Sequence, residues 1–173
     1  MKINTSNGFT LLELLTAMVV VAIITGLAVP SFNSFIQNNR LTASTNNFVS
    51  AISVARSEAI SRNSVVLLCI VDTTDGTNCD WVSEDWSLGW VVFEDSDGDG
   101  DVDDGEAIRY FSALASNQTF TRTNDNGPLW FLPNGQIRFS DFEMTLCTTN
   151  ASESRVLEVN SLGRVTPRVD PPC

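Results

Sequence analysis

The chain has two hydrophobic textures and a break between them. From Phe9 to Val29 the sequence is almost continuously apolar, with only Thr10, Glu13, Thr16 and Thr25 polar among 21 residues. At about 1.5 Å rise per residue, this run makes a helix roughly 30 Å long, the thickness of a hydrocarbon core. The threonines can bond back to the helix's own carbonyls. Pro30 is expected to interrupt the helix, yet helical periodicity resumes beyond it. Leu41, Thr45, Phe48, Ile52, Ala55 and Ala59 recur at spacings of four and three, which draws one apolar stripe. Arg40, Asn47, Arg56 and Arg62 fall off that stripe and are expected to face solvent or neighbouring molecules. The pattern divides the chain into residues 1–8, an apolar helix over 9–30, an amphipathic continuation over 31–62, and a body over 63–173.

Beyond Asn63 the period shortens. Short apolar runs separated by turn residues predict strands over Val65–Val71, Leu88–Phe93, Ala107–Ser112, Gln118–Arg122, Leu129–Leu132, Gln136–Phe139, Glu143–Thr148, Arg155–Val159 and Arg164–Thr166. Asp72–Glu84 reads as a polar loop. Trp90 and Phe93 are expected in the core, and Ala107–Ser112 is expected to pair with the strand that carries them. Pro133-Asn134-Gly135 suits a hairpin turn.

The carboxylate in the first run demands an explanation. At a helix centre in lipid it would cost roughly 2.5–3.5 kcal/mol, and less near an end. Snorkelling to the interface is one answer, and a buried cationic partner is the other. A cleaved secretory signal would have a shorter apolar core and a small-residue cut site. Here the run is longer, with only Lys2 as a basic residue ahead of it.

The stretch Gly8-Phe9-Thr10-Leu11-Leu12-Glu13-Leu14-Leu15 resembles the prepilin signature of type IV pilins and type II secretion pseudopilins. The resemblance implies a cut between Gly8 and Phe9 by a prepilin peptidase, N-methylation of Phe9, and pairing of Glu13 with the terminal amine of a neighbouring subunit. It also implies a leader at 1–8, a single pass through the inner membrane, and a periplasmic head. Three further segments resemble the GspH/FimT-like minor pilins: Ala55-Arg56-Ser57-Glu58-Ala59, Gly89-Trp90-Val91-Val92-Phe93-Glu94-Asp95, and Gly163-Arg164. That branch implies an α+β fold, a long helix laid on an antiparallel β-sheet or β-sandwich head. The function implied is that of a minor pilin in type IV pilus assembly or priming. A type II secretion pseudopilin is the alternative, and a DNA-binding uptake pilin is an alternative of another class.

Composition narrows the chemistry. The chain has 10 Lys+Arg against 21 Asp+Glu and no histidine. Loss of the leader would make it one unit more negative. Such a body is a poor general ligand for nucleic acid or anionic lipid. Without histidine the commonest general base is missing, and neither a serine-nucleophile motif nor a phosphate loop occurs, so no enzyme and no required cofactor are expected. Cys69, Cys79, Cys147 and Cys173 allow three pairings. In an exported domain the local one, Cys69–Cys79 with Cys147–Cys173, is preferred as a structural framework.

Two stretches carry candidate binding chemistry. Asp95 to Glu106 holds seven carboxylates in twelve residues. Asp95, Asp97, Asp99, Asp101 (through its carbonyl), Asp103 and Glu106 occupy the ligand places of an EF-hand-type calcium loop, with Gly100 at the sharp turn and Val102 at the aliphatic place. The flanks read as strands rather than helices, so calcium would sit in a loop grafted on a hairpin; a solvated acidic turn is the plain alternative. At the other end, Arg164 matches the first arginine of the Gly-Arg-x-Arg element of DNA-uptake pilins. Arg168 stands displaced beyond Pro167. Arg164 and Arg168, with Arg155, are the candidate phosphate contacts, against ion-paired arginines of a turn.

Overall fold

A computed structural model describes residues 9–123, 127–138 and 141–173, and of residues 27–31 the backbone alone. The cut position Gly8 and the strand end at Phe139 lie outside the described residues.

One helix, α1, runs from Leu11 to Arg62, 52 residues, without a break at position 30. The interruption expected at Pro30 does not occur. Proline removes a single ladder bond, a local cost of about 3 kcal/mol, which leaves the rest of the 52-residue hydrogen-bonded ladder in place. Thr10 caps the start with extended backbone, its Oγ1 accepting the Glu13 N–H at 3.2 Å. Asn63 closes the other end in the left-handed region at φ 52°.

The head consists of two antiparallel sheets. Strands β1 (Val66–Val71), β2 (Cys79–Asp80), β3 (Trp90–Glu94), β4 (Ala107–Phe111) and β6 (Leu129–Phe131) form the first, ordered β2-β1-β3-β4, with β6 sharing the β1 edge. Strands β5 (Gln118–Arg122), β7 (Phe142–Thr148), β8 (Ser154–Val159) and β9 (Val165–Asp170) form the second, ordered β5-β7-β8-β9.

The sequence-predicted stripe is the core face of α1. Leu41, Thr45, Phe48, Ile52, Ala55 and Ala59 are all buried, joined by Ser44 and Ala51. Phe48 is the central knob. Its ring meets Trp86, Trp90 and Phe120 edge-on at 5.8, 5.4 and 4.9 Å between centroids. These geometries suit aromatic quadrupoles, each pair worth about 0.5–1.5 kcal/mol beyond burial. The inner face of the first sheet (Val66, Leu68, Ile70, Trp90, Val92) and that of the second (Phe120, Met144, Leu146, Leu157) complete this core. Arg56 is half-buried rather than solvated, because the turns at Gly135 and Gly163 close over it.

The first sheet is buried on both faces. Leu67, Cys69, Val91 and Phe93 point away from α1 into a second cluster with Cys79, covered by Val102 and Trp130. Thus Phe93 is buried as expected, but on the far side from the helix. Several boundaries differ from expectation; the last strand, expected over Arg164–Thr166, runs Val165–Asp170 through Pro167 on the sheet edge. The Asp72–Glu84 loop contains β2, paired with β1. A 3₁₀ turn at Trp86–Leu88 precedes β3 and seats Trp86 in the main core. Among the described residues the expected strand from Gln136 is reduced to one bridge, Phe131 to Ile137, flanked by bonds from Leu132 N to the Gln136 carbonyl and from Arg138 N to the Trp130 carbonyl, while the Ile137 N–H, on the far edge, donates to the Ser161 carbonyl.

Candidate functional site

Among the described residues, the first half of α1 buries no side chain against its own chain. Phe9, Leu11, Leu12, Met18, Ile23 and Ile24 are all at least 59% exposed, and the run continues past position 31 with Phe32 and Phe35. Thr16 Oγ1 donates to the Glu13 carbonyl at 3.0 Å, and Thr25 Oγ1 to those of Val21 and Ala22. The few polar hydroxyls are therefore satisfied within the helix, which suits an apolar surround. Glu13 lies in the first turn, where the helix dipole favours a carboxylate, and its side chain is exposed. An apolar surface of this extent marks an interaction site. No helix among the described residues is long and apolar enough to cross a membrane. The sequence-predicted span over 9–30 includes residues 27–30, whose side chains lie outside the described set.

The acidic loop joins β3 to β4. It is a ring of carboxylates wound on its own amides. Asp95 Oδ1 accepts the N–H groups of Gly98 at 3.0 Å and Gly100 at 3.3 Å. Asp97 accepts from Asp99 N, and Asp99 from Asp101 N. Asp95, Asp97 and Asp99 bring ligand oxygens within 4.8 Å of one another. Asp103 and Glu106 are not in that group. Glu106 is buried and turned onto the loop's backbone, accepting from Ser96 N at 2.9 Å, from Ser96 Oγ, and from Asp103 N at 3.2 Å. These bonds, Ser96's first, hold its carboxyl below the usual range. Asp103 is shifted the other way, chiefly by Asp99, with burial and the other carboxylates adding.

Gly100 adopts φ +86°, and a Cβ there would lie 2.4 Å from Trp81 Cζ2. Trp81 thus lies directly on the loop's turn, and 6.4 Å from the Trp130 ring. Val102 packs beneath, on the outer cluster. The loop is bolted to the sheet by an aromatic lid and an aliphatic peg. The disulfide Cys69–Cys79 fixes the strand that leads into Trp81, and Cys147–Cys173 ties the tail to β7.

The two C-terminal arginines part company. Arg168, on edge strand β9, is held by carboxylates of its own sheet: Glu143 at 3.3 Å, Glu158, and Asp170 at 3.1 Å. Asp170 and then Glu158 raise its pKa further above an already high value. Arg164 instead lines a cleft of about 550 Å³ that also holds Asp141, Glu143 and Glu158. Arg155 pairs with Glu153 at 2.6 Å. The arrangement gives each of these cations carboxylate neighbours.

Residues 3–29 match the model of the prokaryotic N-terminal methylation motif. Residues 44–163 match the model of the type II transport protein GspH, most of the helix–sheet body. The chain belongs to the GspH family. No curated protein sequence matches it. Among solved structures, this GspH-family chain is similar to the type IV minor pilin FimU of Pseudomonas aeruginosa strain PAO1. In one crystal form the match has 19% identity and a TM-score of 0.61, covering 78% of this chain and 92% of that one. A second form gives 18% and 0.56, with coverage of 74% and 92%. The minor pseudopilin EpsH of the type 2 secretion system of Vibrio cholerae follows at 12% and 0.51, covering 76% and 97%. At these identities the likeness is one of fold, and it is the α+β architecture described above.

With the fold in hand, the GspH-family residues quoted from sequence acquire physical roles. A Cβ at Gly89 would strike the Phe111 carbonyl at 2.7 Å and Ala113 N at 2.8 Å, so the β3 start admits only glycine. Arg62, ending α1, bonds Glu58 at 2.7 Å and Glu94 at 2.8 Å, which pins the helix end to the root of the acidic loop. Sequence reasoning missed Trp81. The signal for Trp81, an aromatic close to a cysteine, is too common to select.

Proposed function

We propose that this minor pilin-type subunit is cut between Gly8 and Phe9, methylated at Phe9, held in the inner membrane by its first helix half, and then passed into a type IV pilus-like filament. The observation that carries the reading is the unpartnered apolar half of α1, joined to a methylation motif at its start and a disulfide-framed head at its end. In an apolar assembly core Glu13 would balance the amine of a neighbour's Phe9. Such a pair matters because either charge alone is strongly penalised there. The type II secretion pseudopilus would use the same chemistry, and the likeness to both FimU and EpsH supports the common part. Mass spectrometry of the protein co-produced with a prepilin peptidase tests this. The expected product begins at Phe9 and carries one added methyl group; an uncut chain ending its maturation at Met1 would overturn it.

For the acidic loop we infer a calcium site. The support is the full twelve-position residue pattern and the convergence of Asp95, Asp97 and Asp99. Asp101 would add its carbonyl, and Asp103 and Glu106 would have to turn from their present bonds. Calorimetric titration of the chelator-treated protein with calcium tests it. Binding should be lost in Asp97→Asn/Asp99→Asn, and absence of heat at millimolar calcium would sink the site. DNA is not proposed as a ligand.

A further inference from the structure

The charges on α1 stand at two levels. From Phe9 to Ala55 only Glu13 and Arg40 carry a charged side chain. The helix is unbroken between them, so the intervening turns set them about 40 Å apart along its axis. That matches a bilayer counted with its headgroup layers, about 40–45 Å, where the hydrocarbon core alone is about 30 Å. The other side chains follow the same profile. Exposed apolar residues continue through Phe32 and Phe35. Gln37, Asn38 and Asn39 then bring amides, and Arg40 follows, exposed. Arg40 has no ion pair among the described residues.

The head meets the helix at this level, and its rim is uncharged. Asn38 Nδ2 donates to Ser152 Oγ at 2.9 Å, and Asn117 Nδ2 to Gln37 Oε1 at 3.0 Å. The segments that bring Asn117 and Ser152 to the helix, 112–121 and 144–152, contain no charged residue. Acids that border the rim are matched: Glu153 pairs with Arg155, and Asp170 with Arg168. Cys173 adds its terminal carboxylate, tied to β7 through Cys147. The dense carboxylates lie at the other end. The loop 95–106 follows Glu94, which Arg62 holds, and Arg62 is about 33 Å along the axis from Arg40. That is several screening lengths at physiological salt. A chain of net charge −11 is repelled by an anionic surface as a whole. This layout sets the acidic end far from the first helix half and leaves a neutral rim and Arg40 beside it.

We propose that Arg40 binds a phospholipid phosphate in the headgroup layer on the head's side, and that the neutral rim rests on the bilayer surface. The membrane-held subunit then stands in one orientation before assembly. The inference rests on the membrane-held reading above. A guanidinium offers a phosphate two parallel N–H donors. Its long stem keeps the charge at headgroup level while its methylenes lie against apolar groups. With Glu13 at one face and Arg40 at the other, the helix has a charged stop at each. Sliding it by a turn in either direction would draw one charge into hydrocarbon, where it is strongly penalised.

Solid-state NMR tests the contact on the full chain, in bilayers of phosphatidylethanolamine and phosphatidylglycerol and in phosphate-free buffer. The lipid is then the sole source of phosphorus. The 10 Lys+Arg are Lys2 and nine arginines, each labelled at Cζ. One Cζ should show dipolar coupling that places it within about 5 Å of phosphorus. Arg40→Gln should abolish that coupling and leave the melting of the head unchanged, because the side chain is exposed. No coupling, or coupling retained in Arg40→Gln, would overturn the proposal. Coupling of the Arg40 Cζ to labelled carboxyl carbons in place of phosphorus would assign it to a neighbouring subunit and equally overturn it. A high-salt wash separates the two readings. A chain that washes off the bilayer would remove both the anchor and the contact. A chain that stays but shows no coupling would refute the contact alone and leave the membrane reading standing.

Discussion

The two halves of α1 share one helix and one backbone geometry, but they solve opposite problems. From Leu41 to Ala59 the apolar residues are confined to a stripe, and two sheets bury that stripe completely. From Phe9 to Phe35 apolar residues cover most of the helix surface, and no part of the described chain comes to meet them. A stripe can be satisfied by a single-sided partner within the chain. A helix apolar all round needs an apolar surround, supplied by lipid or by other helices. The difference assigns stability to the second half and association to the first, and substitutions should separate the two.

The largest effect on the head should come from Phe48→Ala. It removes the ring that three aromatics enclose and leaves a cavity, at a cost of about 3–5 kcal/mol. Thermal melting followed by tryptophan fluorescence should fall by on the order of 15 °C. Leu15→Ala, a truncation to the same residue in the exposed half, should leave that transition in place. A matching loss in Leu15→Ala would break the comparison.

Next comes the tail. Replacing Cys147 and Cys173 by serine opens a closure of 26 residues in sequence. The loss should be about 3 kcal/mol in denaturant titrations, the loop-entropy scale for such a closure. Gly100→Ala should destabilise by about 1–3 kcal/mol, because the position holds φ +86° and the new Cβ displaces Trp81. Emission should shift to the red as the Trp81 ring leaves the loop, and the shift should vanish in a Trp81→Phe background.

Acid should loosen this loop before it unfolds the core. Glu106 has a folded pKa below its ordinary value, so its bonds to Ser96 and Asp103 stabilise fully above about pH 4.5. That contribution is lost as pH falls through the lowered pKa. Asp103 works in reverse, since protonation relieves its repulsion from Asp99. Amide protection factors across 95–106, taken relative to the intrinsic exchange rate at each pH, should fall as Glu106 is protonated, and Glu106→Gln should flatten the response.

Much of the helix and several strands could be read from periodicity because each is a local pattern. The stripe at Leu41, Thr45, Phe48, Ile52, Ala55 and Ala59 is buried without exception, and β5 matches its expected span from Gln118 to Arg122. What escaped depends on contacts between distant segments. The segment from Gln136 has suitable residues but keeps a single bridge to β6, and its other edge meets the Ser161 carbonyl, a contact between distant segments. Arg168 looks like a free cation in sequence, and only the β7-β8-β9 register brings Glu143 and Glu158 to it. Trp81 over Gly100 arises where loops meet, and no periodic signal reports such meetings.

Glu13→Ala should have the smallest effect on the head and the largest on assembly. Measured together on the same variant, the melting transition of the head and the protein's presence in sheared filaments test the division of labour in α1. The transition should be unchanged and the variant should be lost from the filament fraction. Normal incorporation of Glu13→Ala, or a head that melts early, would contradict that division.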